Sequence, residues 1–143
     1  MDEVLIIPLV PMAWPRPRRS AHGGVFMPQE YTDWKRRFGS IVLVGLGLRR
    51  FSGPIRLSVD AYFPRPDRRP AGVGKSIWDT GLPVKRWARP DADNIFKSVA
   101  DALQDARIIE NDYYVEIGFV RRFYCGLEEI PRIEFCIESI GAL

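Results

Sequence analysis

The chain has 143 residues, 46% hydrophobic and 27% charged, the balance of one globular domain (1–143) rather than a disordered or fibrous chain. Two cysteines and one histidine exclude a four-ligand zinc site and a secreted disulfide framework, so a packed core must hold the fold, and a reducing, cytoplasmic setting is expected. The net charge of +3 divides unevenly: residues 1–97 hold 17 Lys/Arg against 9 Asp/Glu and residues 98–143 hold 4 against 9, so the first two-thirds suits a polyanionic partner.

Val4 to Val10 is an apolar run far too short to cross a bilayer and reads as a strand, with Pro8 and Pro11 putting it at a sheet edge or marking its exit. Met1-Asp2-Glu3 ahead of it lacks the positive charge of a secretion signal, so neither export nor membrane insertion is expected. Pro15-Arg16-Pro17-Arg18-Arg19 cannot be helical, because each proline pushes the residue before it to extended geometry; it predicts an extended basic arm. Tyr31, Trp34, Phe38, Ile41, Val42 and Leu46 follow Pro28 at helical spacing, which predicts a helix over about 28–48 with Lys35, Arg36 and Arg37 on its other face. Ile55, Leu57, Val59, Ala61 and Phe63 alternate with polar residues between two prolines, a half-buried strand. Residues 65–90 hold no sustained period and read as a long basic loop. Ile95, Val99, Leu103 and Ala106 then form one apolar stripe, a helix over about 93–106 that Asp93 is placed to cap. Residues 113–123 and 130–140 read as two strands of a hairpin. The order is that of an α+β fold, a small mixed sheet of about four strands with two helices on one face.

Among the motifs, Gly72-Val73-Gly74-Lys75-Ser76 resembles the end of a phosphate-binding P-loop, but Arg69 stands where the first glycine belongs and the prolines before it forbid the preceding strand. His22, Cys125 and Cys136 have no orienting third group and read as structural or incidental. Asp91 and Asp93 differ: two carboxylates two residues apart in an extended stretch point the same way, and hard divalent ions such as magnesium take carboxylate oxygens, water and substrate phosphate. The bland alternative is a helix cap beside a solvated acid. Lys97 lies one helical turn after Asp93, either as a plain ion-pair partner or as a group that meets a phosphate held at the same place. Asp112 is a candidate third carboxylate if the chain after the helix turns back; Asn111-Asp112 is equally a turn signal.

The segment Arg89-Pro90-Asp91-Ala92-Asp93-Asn94-Ile95-Phe96-Lys97, followed by Asp101-Ala102-Leu103 and by Asp112 with Val115 three residues on, resembles the RusA family of Holliday junction resolvases. The likeness is close over residues 88–115, and Pro15-Arg16-Pro17-Arg18 with Gly24 to Trp34 is similar to the arm and first helix of phage-type members. The resemblance implies a homodimeric endodeoxyribonuclease of DNA recombination and repair that needs Mg2+, with Mn2+ as a substitute, and resolves four-way DNA by paired symmetric nicks. It implies that Asp91, Asp93 and Asp112 hold the metal and that Lys97 is catalytic with them. Asn111 departs from the family, whose members often carry two consecutive acids there. Arg16, Arg18 and Arg19 on the arm and Lys85, Arg86 and Arg89 in the loop are expected to meet the DNA backbone. A non-catalytic junction or single-strand binder, stacking bases on Trp14, Trp78 and Trp87, is the rival reading. Carboxylates amid a positive surface argue against it, since they repel phosphate unless a cation intervenes.

Overall fold

The computed structural model describes residues 3–47 and 49–141. Its framework is a five-stranded mixed sheet in the order β1-β7-β4-β6-β5, built from β1 (Glu3–Ile7), β4 (Ile55–Phe63), β5 (Val84–Lys85), β6 (Val115–Tyr124) and β7 (Arg132–Ser139). Only β4 and β6 run parallel, joined by the crossover that carries helix α3 (Ala92–Asp105); the other pairings are antiparallel. This is the expected α+β class with one strand more than expected, because the two-residue β5 condenses from the long loop. That loop also holds a four-residue helix, α2 (Lys75–Trp78), whose start at Gly74 follows a turn rather than a strand, as the failed P-loop spacing requires.

Two readings are corrected by the topology. Strands β6 and β7 do not form a hairpin: β7 pairs with β1 and β4, and β4 lies between β7 and β6. A single strand at 55–63 with apolar residues on its inner face and hydrogen-bonding capacity on both sides captures both partners. The basic arm is not wholly extended alone, since β2 (Arg18–Arg19) pairs with β3 (Val25–Phe26) in a separate two-stranded ribbon. The first strand ends at Ile7, consistent with the proline that follows, and occupies a sheet edge.

The inner sheet face is covered by α1 (Gln29–Leu46) and α3. Helix α1 buries Tyr31, Trp34, Phe38, Val42 and Leu46 at steps of three and four, the stripe seen in the sequence, and stacks Phe38 on Phe135 of β7 with ring centroids 5.6 Å apart. It ends at Gly47 in the left-handed conformation (φ 59°); position 48, to which the sequence extended it, lies outside the described residues. A side chain added at Gly39 would stand 3.0 Å from the Ala106 methyl, so the two helices approach closely just there. That approach drives Lys35 into the helix interface: its ammonium is 3.1 Å from Asp101 and 2.7 Å from Asp105 of α3, with a side chain only 13% exposed. The expectation that Lys35 lies on the exposed face with Arg36 and Arg37 therefore fails for Lys35 and holds for the other two.

The outer sheet face is polar and cross-linked. Arg56 spans Glu116 and Glu138 at 2.8 and 2.9 Å, and Arg121 pairs with Asp60 at 2.6 Å. Where β4 meets β6 the register slips between Leu57 and Val59. The slip brings the Ser58 hydroxyl to accept from the Phe119 amide at 3.2 Å, over Gly118, where any Cβ would collide with that hydroxyl. This bulge sets the direction of the strand that borders the site described next.

Candidate active site

Helix α3 starts where the sequence places it but is capped by the other aspartate. Asp91, extended at φ −75° and ψ 168°, is the N-cap and its side chain accepts from the Asn94 amide at 3.0 Å; Asp93 lies inside the first turn. The two carboxylates are thus not neighbours on an extended stretch. Asp91 turns back over the helix start, and Asp93 projects from the helix flank.

From that flank opens a cleft of about 430 Å³ lined by Asp93, Lys97, Asp101 and Gln104 of α3, by Trp14 before the arm, and by Asp112 with the first residues of β6. Positions 93, 97, 101 and 104 recur at steps of three and four and so share one helix face. Asp112 reaches the same cleft because the chain after α3 reverses sharply: Arg107 takes a positive φ of 58°, and a short 3-10 turn at Asp112–Tyr114 leads into β6. Asn111 caps that turn, its side-chain oxygen accepting from the Tyr113 amide at 3.1 Å, so the residue that departs from the family's acid has a structural task. The turn reading and the cleft reading of Asn111-Asp112 both hold.

Lys97 approaches Asp93 to 3.4 Å, but both side chains are more than half exposed. Such a pair contributes about 0–1 kcal/mol, too little to explain its position as a stabilising contact. The ammonium also lies 5.5 Å from the centre of the Trp14 ring, and the Trp14 amide donates to the Asn94 carbonyl at 3.0 Å, so the indole is pinned beside the start of α3. Sequence reasoning took Trp14 only as a possible stacking surface. It missed Asp101 as a cleft residue, although its spacing of four from Lys97 and eight from Asp93 carried that information.

Asp101 is the most firmly held acid of the cleft. One of its oxygens accepts from the Tyr31 hydroxyl at 2.7 Å and from the Lys35 ammonium at 3.1 Å, both on α1. Burial, then the Asp101 bond and charge, push the Tyr31 hydroxyl far above its ordinary pKa. Burial acts to lower Lys35, but the bonds to Asp105 and Asp101 outweigh it and its pKa is raised.

The donor chemistry of the cleft is hard oxygen, which suits magnesium or manganese rather than zinc. Among the described residues no three His, Cys, Asp or Glu side chains are grouped as a ready-made metal cage. Two carboxylates with room for water and phosphate are what magnesium ordinarily takes, so the residues fit the ion without enclosing it. Of the residues expected to meet DNA, Arg16, Arg18, Arg19, Lys85 and Arg89 are exposed and Arg86 is half-buried; none of the six lines the cleft. No helix among the described residues is long and apolar enough to cross a membrane.

Residues 8–138 match the family model described as Endodeoxyribonuclease RusA, which puts this α+β domain among the endodeoxyribonucleases. The chain belongs to the RusA family, and the likeness runs well beyond residues 88–115, where the motif lies. It is also similar to the uncharacterized protein YqaN of Bacillus subtilis (strain 168), 29% identical over 136 residues and covering 92% of each chain.

Proposed function

We propose that the protein is a magnesium-dependent, structure-specific endodeoxyribonuclease that resolves four-way DNA junctions by paired symmetric nicks and works as a homodimer. The observation that carries this reading is the meeting of Asp93, Lys97 and Asp112 at one cleft in a chain rich in arginine. Acids so placed weaken DNA binding unless a cation joins them to phosphate.

Asp93 and Asp112 would hold the ion, with Asp91 at the adjoining helix start, and the ion when bound supplies Lewis-acid polarisation of a phosphoryl oxygen. Lys97 has a separate task. Its ammonium is only loosely paired, one helical turn from Asp93, so it can stabilise the charge that builds on the phosphorus oxygens or the departing 3′ oxygen. Asp101, fixed by Tyr31 and Lys35, keeps the wall of the cleft rigid and negative. Trp14 shields one side of Lys97 from solvent.

Dimerisation is supported by strand β6. Its one long-range partner along residues 115–121 is β4, since β5 reaches only Phe123 and Tyr124; the other edge has no strand beside it among the described residues. Ile117 and Phe119 are 57% and 44% exposed on this stretch. An open edge with apolar side chains next to the cleft suits a second copy related by a two-fold axis, which would set one cleft on each of two opposed strands of a junction.

The test is a magnesium titration of cleavage on four-way, flapped and linear DNA of the same sequence, with Asp93→Asn alongside. Symmetric nicks are expected on the four-way substrate only, none without divalent ion, and none by Asp93→Asn even though it still binds. Equal cutting of linear duplex, or cutting in chelator, overturns the reading.

A further inference from the structure

Several cations of this chain have an acid beside them. Arg56, Arg121 and Arg132 pair with glutamates or aspartates on the outer sheet face, Lys35 with Asp101 and Asp105, and Lys75 with Asp79. The arginines around the end of β4 do not. Arg68, Arg69 and Arg86 line an open cavity of about 560 Å³ whose floor holds Phe63 and Tyr124, and no acidic residue lines it. None of the three forms an ion pair among the described residues, and Arg69 makes one bond, to the Val73 carbonyl of its own loop at 2.7 Å.

Arg86 stands at the centre. Its guanidinium carbon lies 4.0 Å from the centre of the Phe63 ring and 5.5 Å from that of Tyr124. Stacking of this kind fixes the plane of the group without using its donors. Nε and Nη1 are buried and have no acceptor among the described residues. A buried donor left without a partner costs about 1–3 kcal/mol, which an incoming anionic oxygen recovers.

The cavity is tied to the start of α3. The Arg86 amide donates to the Arg122 carbonyl at 2.9 Å, and the Arg122 guanidinium reaches back to the Ala88 and Pro90 carbonyls, each at 2.8 Å, immediately before Asp91. Five extended residue steps from Arg86 to Asp91 and two helical steps on to Asp93 span at most about 21 Å. DNA rises about 3.4 Å per nucleotide along a strand, so that interval corresponds to about six nucleotides.

We propose that the Phe63–Tyr124–Arg86 cavity, with Arg68 and Arg69 at its rim, is a second DNA subsite that binds one backbone phosphate within about six nucleotides of the phosphate cut at the Asp93 cleft. This deepens the nuclease reading and rests on it for the identity of the polyanion. A guanidinium seated over the Phe63 ring and beside Tyr124 presents its donors as a fork, which matches a phosphodiester and gives the bound strand a register relative to the cleft. The arm, whose arginines are all exposed, supplies attraction without such register.

The test is a thermodynamic cycle between protein and DNA. Four-way junctions carrying a single uncharged methylphosphonate, moved one position at a time across about six nucleotides on each side of the cut, are bound in chelator by the wild type, by Arg86→Gln and by Arg68→Gln/Arg69→Gln. At one position the substitution should weaken wild-type binding about tenfold and leave binding by Arg86→Gln unchanged. If Arg86→Gln does not fold, as read by its thermal melt, the exposed Arg68/Arg69 pair carries the same cycle. No sensitive position, or equal loss in wild type and variants, overturns the subsite. Titration with inorganic phosphate separates the sources: competition with junction at millimolar phosphate, without coupling to any methylphosphonate, assigns the cavity to a free anion and overturns the DNA proposal. Adding magnesium to the same mixtures tests the nuclease reading by itself. Coupling without cutting leaves the subsite standing and rejects the nuclease, while cutting without coupling does the reverse.

Discussion

At the scale of single residues, Lys97 and Lys35 show how alike two lysines look in sequence and how differently they are used. Both read as polar-face residues of an amphipathic helix, yet Lys35 is 13% exposed between two carboxylates of the neighbouring helix, while Lys97 is 53% exposed at 3.4 Å from one. A loose, solvated pair leaves Lys97 able to turn to a substrate. Lys97→Ala is expected to lower single-turnover cleavage at saturating magnesium by about ten- to a thousandfold with junction affinity little altered. Recovery of full rate at high magnesium would return Lys97 to the role of a simple ion-pair partner. The Lys35 cluster predicts a pH effect instead. Tyr31 and Lys35 both hold their protons more tightly in the folded chain, against ordinary values of 10.0 and 10.5. Above about pH 10 the native state therefore binds more protons than the unfolded state, so this contribution is complete at neutral pH and is lost as pH rises. Denaturant midpoints measured from pH 8 upward should fall above about pH 10, and Tyr31→Phe should flatten that fall while removing about 1 kcal/mol at neutral pH. The pair Asp91 and Asp93 was legible as chemistry but not as geometry: which of them caps the helix depends on where the first turn closes, a one- or two-residue matter that composition does not resolve.

At the scale of elements, the helices and β4 were readable because each carries an uninterrupted period, 3.6 in Tyr31 to Leu46 and 2 in Ile55 to Phe63. Strand pairing was not. Two successive strands with a short connection read as a hairpin, and nothing local announces that β7 instead inserts between β1 and β4. That choice is made by burial: Ile133, Phe135 and Ile137 of β7 must join the central core, whereas β6 exposes much of its length. The ribbon of β2 and β3 and the two-residue β5 are too short to show a period at all. Helix α3 offers a way to separate its structural and chemical demands. Asp91 caps the helix that carries Asp93 and Lys97 into the cleft, and serine caps about as well as aspartate. Asp91→Ser should therefore melt within a degree or two of wild type, whereas Asp91→Ala should lose about 1 kcal/mol; both should lose cleavage. If Asp91→Ser cuts at the wild-type rate, Asp91 is a cap and Asp93 and Asp112 carry the metal work without it.

At the scale of the whole molecule, the sheet has two margins: β1, which exposes Val4 and Ile6, and the stretch of β6 that β5 does not reach. Strand β1 ends at a proline on one side, but the stretch of β6 that borders the cleft leaves its backbone edge unpaired and exposes Ile117 and Phe119. An edge of this kind invites pairing, and a two-fold axis through it aligns two copies of β6 antiparallel, so that each residue meets its own symmetry mate's neighbourhood and the contact closes on itself. Ile117 also lines the cleft, so Phe119 is the cleaner place to intervene. Phe119→Lys sets a charge against its own copy across the axis and adds to Arg121, whose guanidinium lies 4.1 Å from the Phe119 ring centre. The wild type is expected to sediment as a dimer at micromolar concentration and Phe119→Lys as a folded monomer with the same circular dichroism. The functional consequence is specific to a paired mechanism. On a supercoiled plasmid bearing an extruded cruciform, two coupled nicks give linear product, whereas one nick relaxes the plasmid, reabsorbs the cruciform and leaves a nicked circle. Wild type should yield linear DNA and Phe119→Lys nicked circles. A wild type that is monomeric while it produces linear DNA, or a Phe119→Lys variant that remains dimeric, would remove β6 as the edge that joins the two sites.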